Sequence, residues 1–148
     1  MKSFQFSLAK MRSYKEQVLE KEKTTLRHLQ AEKAKIETDI ENLENHRKER
    51  EQEFNNSKNG LMAGELMLYK FHVENTRLQL NNLYEELKRA EARVDAQIKV
   101  VVGASQEVSG LDKLREKQLE EYKYLEAKEM QEEILELVAN KTTEEEPS

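Results

Sequence analysis

The stretch LQLNNLYEELKRAEARVDAQIKVVVGASQEVSGL, residues 78–111, decides the fold. Its apolar residues recur at alternating steps of three and four: Leu80, Leu83, Leu87, Ala90, Val94, then Val101, Ala104, Val108 and Leu111. The same register extends back through Met62, Leu66, Tyr69, Val73 and Thr76, and forward through Arg115, Gln118, Tyr122 and Leu125. With Gln97, it comprises nineteen slots, of which fifteen are apolar. At the 36% apolar background of the chain, chance would fill about seven. A 4-3 repeat held over this many heptads is the mark of a helix lying along another helix, with a narrow a/d stripe buried between them.

Composition agrees. Of the 148 residues, 37% are charged, and mean hydropathy is -0.95. A compact globule of this length needs more apolar surface to offset chain entropy. A two-helix seam needs less, because each heptad buries two positions. Four Gly, one Pro (Pro147) and no Trp leave little turn chemistry for a sheet. The absence of Cys excludes a disulfide framework and a thiolate metal site. No apolar run approaches the ~18 residues needed to span a bilayer, so no direct membrane insertion is expected. The amino terminus lacks a signal-peptide apolar core, which makes the cytoplasm the default address.

Upstream, Leu19, Leu26, Leu29, Ile36, Ile40, Leu43 and Phe54 follow the same alternation, with Glu22, Lys33, Arg47 and Arg50 in intervening slots. Phe4, Leu8, Met11 and Val18 lie one residue off this row, which reads as a widened or rewound seam near the amino end. Ser3 or Ser7 can cap the helix. A first helix is expected over 4–56, a turn at 57–60 carrying Asn59-Gly60, and a second helix over 61–138. Val100-Val101-Val102-Gly103 and Ser109-Gly110 invite a bend. The register is the same on both sides, so one helix is expected through them. Residues 141–148 read as a disordered acidic tail.

The expectation is therefore an all-α, single-domain antiparallel two-helix coiled-coil hairpin with the longer helix at the carboxyl end. The helices would be roughly 80 Å and 115 Å long. Folding back at the turn places Leu26 near Ala90 or Glu91. The second helix then overshoots by some 20–25 residues at ~1.5 Å each. That overhang carries Leu119, Tyr122, Tyr124, Leu125, Met130, Ile134, Leu135, Leu137 and Val138, a large apolar surface without an internal partner.

No enzyme chemistry is expected, and no cofactor. His28, His46 and His72 are far apart in sequence and lack a His-Glu-x-x-His context, so they read as solvated face residues rather than metal ligands. The Glu pairs lie on a thin helix pair where nothing desolvates them. Gly60 and Gly64 lack the Lys-Ser/Thr of a phosphate loop. Net charge is -5 and pI about 5.4, which argues against nucleic acid. Charge is polarised: Lys2, Lys10, Arg12 and Lys15 stand at the start, eight Glu against Lys128 and Lys141 from Glu126 onward. Partner choice is the natural use of such asymmetry. Leu61, Met62, Leu66, Met67, Leu68, Tyr69 and Phe71 crowd the turn; Met67, Leu68 and Phe71 fall off the seam and form a candidate docking patch.

Several segments resemble the flagellar type III export protein FliJ family over roughly residues 4–138. Phe4-x-Phe6-x-Leu8 with Tyr14-Lys15-Glu16 is similar to the family's opening, and Gly60-Leu61 with Leu68-Tyr69-Lys70-Phe71 to its turn. Leu111-x-Lys113-Leu114-Arg115-Glu116-Lys117-Gln118 with Glu121-Tyr122, and Lys128-Glu129-x-Gln131-Glu132, resemble its ending. The resemblance implies a stalk-like coiled coil that binds and stimulates the hexameric flagellar export ATPase. It also implies partners in the cytoplasmic domain of the export gate and in export chaperones, with peripheral placement at the membrane through that apparatus. Matched to the family's terminal motifs, Arg12, Lys15, Arg115, Lys117, Gln118 and Tyr122 become candidates for the ATPase-facing end. Leu68 and Phe71, with Met67, become candidates for the gate. The acidic tail matches no family motif. The competing readings are a scaffold coiled coil without an export role and a parallel homodimer; a prefoldin-like chaperone would need strands that the short turn cannot hold.

Overall fold

The computed structural model describes residues 3–57 and 62–145, with side chains through Thr142. Two helices account for almost all of them: α1, Ala9–Asn56, and α2, Ala63–Glu145. No strand occurs among the described residues. The all-α class with a longer second helix is as the sequence indicated.

The chain divides into two compact units, Lys21–Val102 and the residues up to Glu20 together with those from Gly103 onward. Each unit contains a piece of both helices. This division has a simple origin. In paired helices every contact is local along the axis, so distant stretches share no common core.

In the unit Lys21–Val102, α1 and α2 run antiparallel. Gln97 meets Glu22, Tyr84 meets Glu44, His72 meets His46 and Tyr69 meets Phe54, so later residues of α1 face earlier residues of α2. Ile40, Leu80, Ala90 and Val94 are buried, with Thr76 beside them. Leu26, Leu29, Ile36, Leu43, Leu83, Leu87 and Val101 are half-buried. All of these fall on the 4-3 rows. Gln97 occupies a seam slot and donates to the Glu22 main-chain oxygen (3.0 Å) and carboxylate (2.6 Å). A polar residue at such a slot specifies axial register at some cost in stability.

The other unit is also antiparallel, with Leu19 and Val108 buried and Ala104 and Leu111 half-buried. Near the amino end both rows are covered, as a widened seam requires: Phe4, Leu8 and Val18 of the shifted row are half-buried beside buried Leu19, and Met11 alone of that row is exposed. Arg12 and Lys15 are half-buried in the slots that continue the Leu19 row, so charged side chains occupy part of the seam. Arg12 bonds the Asp112 carboxylate and, at 2.9 Å, Glu16, while Lys15 pairs with Glu107 at 2.9 Å. Long aliphatic stems cover the seam while their heads reach acids flanking Val108 and Leu111.

Element boundaries differ from expectation at three places. Phe4 to Leu8 precede α1, whose first turn is closed by bonds from Ala9 N–H to Phe6 C=O and Arg12 N–H to Leu8 C=O. Phe4 is held instead by packing against Tyr122. The expected turn falls mostly on residues 58–60, outside the described residues. The second helix starts at Ala63 rather than 61. Phe54 stacks on Tyr69 with centroids 4.0 Å apart, further along α2 than the simple fold-back places it, whereas His46 still meets His72 and Glu22 still meets Gln97. Residues 141–145, expected to be disordered, continue α2; Glu and Lys sustain a helix, and Thr142 Oγ1 donates to Val138 C=O at 2.9 Å. Residues 146–148 lie outside the described residues.

Gly103 and Gly110 sit inside α2 with no positive φ, and a Cβ built on either meets nothing within 4 Å. No packing contact requires them. Gly103→Ala and Gly110→Ala are each expected to stabilise the chain by about 0.5–1 kcal/mol, read as a higher denaturation midpoint. Gln97→Ala is expected to cost about 1 kcal/mol through the lost bond. Replacing Glu22 and Gln97 together by Leu is expected to raise the midpoint above wild type, because the slot then becomes apolar.

Candidate functional surfaces

The structure brings five of the six residues matched to the terminal motifs into packing or pairing within one unit. Arg12 and Lys15 are tied to Asp112 and Glu107 as described. Their hydrogen bonds hold both cations charged above their ordinary range, and the Arg12 bond holds Asp112 below the usual carboxylate range. Arg115 lies over the Phe4 ring, 5.9 Å from its centroid, a cation–π arrangement. Tyr122 packs on the other side of the cluster, tilted 55° to Phe4 at 5.6 Å. Desolvation, and then a hydrogen bond to Glu126, raise the Tyr122 phenol. Gln118 is half-buried and Lys117 exposed. Arg12, Lys15, Arg115 and Tyr122 therefore tie the Phe4 segment and α1 to α2, and the polar groups of Arg12, Lys15 and Tyr122 have partners within the chain.

Beyond Leu125 the character of α2 changes. The seam slots that continue the 4-3 row fall on Glu129, Glu132 and Glu136. Apolar residues stand off that row, at Met130, Ile134 and Leu137, one or two positions past the neighbouring slots. Tyr124, Leu125, Met130, Ile134, Leu135, Leu137 and Val138 are each more than half exposed. The apolar row here is thus rotated away from the row that packs α1. Ser3, Tyr122, Glu126, Glu129, Met130 and Glu133 line a shallow groove of about 370 Å³ on this surface. Three of its six lining residues are glutamates, beside Tyr122 and Met130.

The second surface lies in the unit Lys21–Val102. Met67, Leu68 and Phe71 are 73%, 70% and 73% exposed, side by side on one turn of α2. Tyr69, between them in sequence, turns inward onto Phe54 with the rings 4° from coplanar. The stack ties the end of α1 to the start of α2, and its neighbours face solvent.

The reading of the histidines as separate, solvated groups is corrected. Although 26 positions apart in sequence, His46 and His72 meet across the two helices edge to face at 5.7 Å, and His72 is half-buried. Antiparallel pairing, which no spacing of His along one helix reveals, makes them neighbours. The carboxylates are not all unperturbed either: the Arg77 hydrogen bond lowers Glu74. Among the described residues no group of three or more His, Asp or Glu is placed to hold a metal. None of the helices is long and apolar enough to cross a membrane.

Neither a curated protein nor a solved structure matches the chain significantly. A family profile described as the flagellar FliJ protein matches residues 4–141, nearly the whole chain and both surfaces. The chain belongs to the flagellar FliJ family, which makes it a flagellar export-related protein.

Proposed function

We propose that the chain is a non-catalytic stalk of the flagellar export apparatus that binds and stimulates the hexameric export ATPase and links it to the export gate. The observation that carries this reading is the exposed apolar, glutamate-bearing face of α2 beyond Leu125. An exposed stripe of this size on an otherwise charged chain is maintained for a protein partner. Its register offset from the α1-facing row means that α1 is not that partner.

The residues first assigned to the ATPase end take two roles in this proposal. Arg12, Lys15, Arg115, Gln118 and Tyr122 position the Phe4 segment and α1 against α2. Lys117 and the apolar row through Met130 and Ile134 make the contact. The glutamates of this face select a partner surface of basic character, and such complementarity speeds encounter and rejects like-charged surfaces. Met67, Leu68 and Phe71 take the second partner, the cytoplasmic domain of the gate, with Met supplying an adaptable contact. Export chaperones are further partners, and the protein is held peripherally at the membrane by this apparatus.

Two separable outcomes are expected. Met130→Ser, Ile134→Ser and Leu137→Ser together abolish stimulation of the export ATPase in a hydrolysis assay, with helicity by circular dichroism unchanged because all three side chains are exposed. Met67→Ser, Leu68→Ser and Phe71→Ser together abolish capture of the gate domain and leave stimulation intact. Loss of neither activity from either triple variant overturns the assignment. A third outcome tests the positioning role: Arg12→Asp weakens stimulation, and adding Asp112→Arg restores it.

A further inference from the structure

His72 stands in a place that suits a neutral imidazole and does not suit a charged one. Its Nε2 atom is buried and has no hydrogen-bond partner among the described residues. From α1, its neighbours are His46, edge to face at 5.7 Å, and Arg50, both cationic or able to become so. On its own helix the positions one turn away are Leu68, Tyr69, Asn75 and Thr76, none of them an acid. The nearest carboxylate in sequence, Glu74, lies two residues on, off this face, and is engaged by Arg77 at 3.1 and 2.5 Å.

We propose that the His46–His72 contact is a proton-sensitive latch that keeps this end of the α1–α2 pair closed while His72 is neutral and releases it on acidification. Protonation adds a second donor at Nε2 where no acceptor exists, and a positive charge facing Arg50 and His46. Removing that cost requires the two helices to separate locally. Desolvation, then Arg50, then His46 depress the His72 imidazole below its ordinary 6.5. The unfolded or opened chain therefore binds the proton more readily than the closed one. Closure is fully stabilised above about pH 6.5 and weakens as pH falls towards the depressed value of the closed state.

The latch sits between two features of the same unit. Thr76, the next seam residue, is buried one turn beyond it. One turn before it, Tyr69 stacks on Phe54, and Leu68 and Phe71 flank His72 on the exposed patch. Opening at His72 frees the Phe54–Tyr69 stack first and thereby changes the support of that patch. By linkage, a partner that binds the patch in its closed form lowers proton affinity at His72 by the same factor that protonation weakens the partner. The latch itself involves the chain alone and stands apart from the export assignment.

The test uses the full-length chain without any partner. Imidazole resonances are followed by NMR from pH 8 to pH 5, with exposed His28 as internal reference. Amide exchange, corrected for its intrinsic pH dependence, is compared at pH 7.5 and 5.5. His72 is expected to titrate below His28. Protection over 46–56 and 66–73 is expected to fall at least about threefold at the lower pH, while 80–97 holds. His72→Gln should abolish this pH response, and His28→Gln should retain it. If His72→Gln fails to fold, His46→Gln serves instead: removing the facing imidazole brings the His72 titration closer to that of His28. Titration of His72 with or above His28, or protection at this end that does not change with pH, overturns the proposal.

Discussion

The whole arrangement depends on burying a narrow apolar stripe between two helices that are otherwise charged on every face. Each seam side chain gains its stabilisation from one or two residues opposite, and at ~25 cal/mol per Å² of apolar surface no single slot contributes much. Stability accumulates slot by slot along the pair, which is why the chain needs so many heptads and no central core. Helices this polar would fray without the seam, because tertiary packing rather than propensity holds most protein helices.

That economy explains how charged residues can sit in seam slots. Arg12 and Lys15 place their stems where Leu stands elsewhere and carry their charges to Asp112 and Glu107 at the margin. Gln97 does the same with an amide and uses Glu22 as acceptor. None of these is buried deeply enough to incur the full cost of desolvating a charge. Their value is directional. An apolar stripe can slide by a heptad with little penalty, whereas each of these side chains is satisfied at one axial offset. His72 is the exception: it stands at the seam with a polar atom that nothing satisfies.

Function, on this picture, belongs to the residues the seam does not consume. α2 is longer than α1, and its row changes after Leu125 from one that packs α1 to one facing elsewhere. The apolar patch of Met67, Leu68 and Phe71 is left outside while Tyr69 turns in, and His72 is half-buried beside the seam slot of Val73, which is itself exposed. Both surfaces are built of apolar residues that stand off the 4-3 row, where the partner helix does not cover them.

Much of this was legible in the amino acids alone, because hydrophobic periodicity is a property of one helix at a time. The α2 row from Tyr69 to Leu111, the exposure of Leu68 and Phe71, and the bare apolar end all follow from counting along one chain. What periodicity does not encode is the axial offset between two helices. That offset depends on where α1 ends and α2 begins, and it decided that Phe54 meets Tyr69, that His46 meets His72, and that Arg12 finds Asp112 one hundred positions away. A charged residue in a seam slot looks like a break in the pattern until its partner across the seam is known. Tertiary structure alone could show that Arg12 and Lys15 belong to the seam, since only pairing reveals which acid stands opposite.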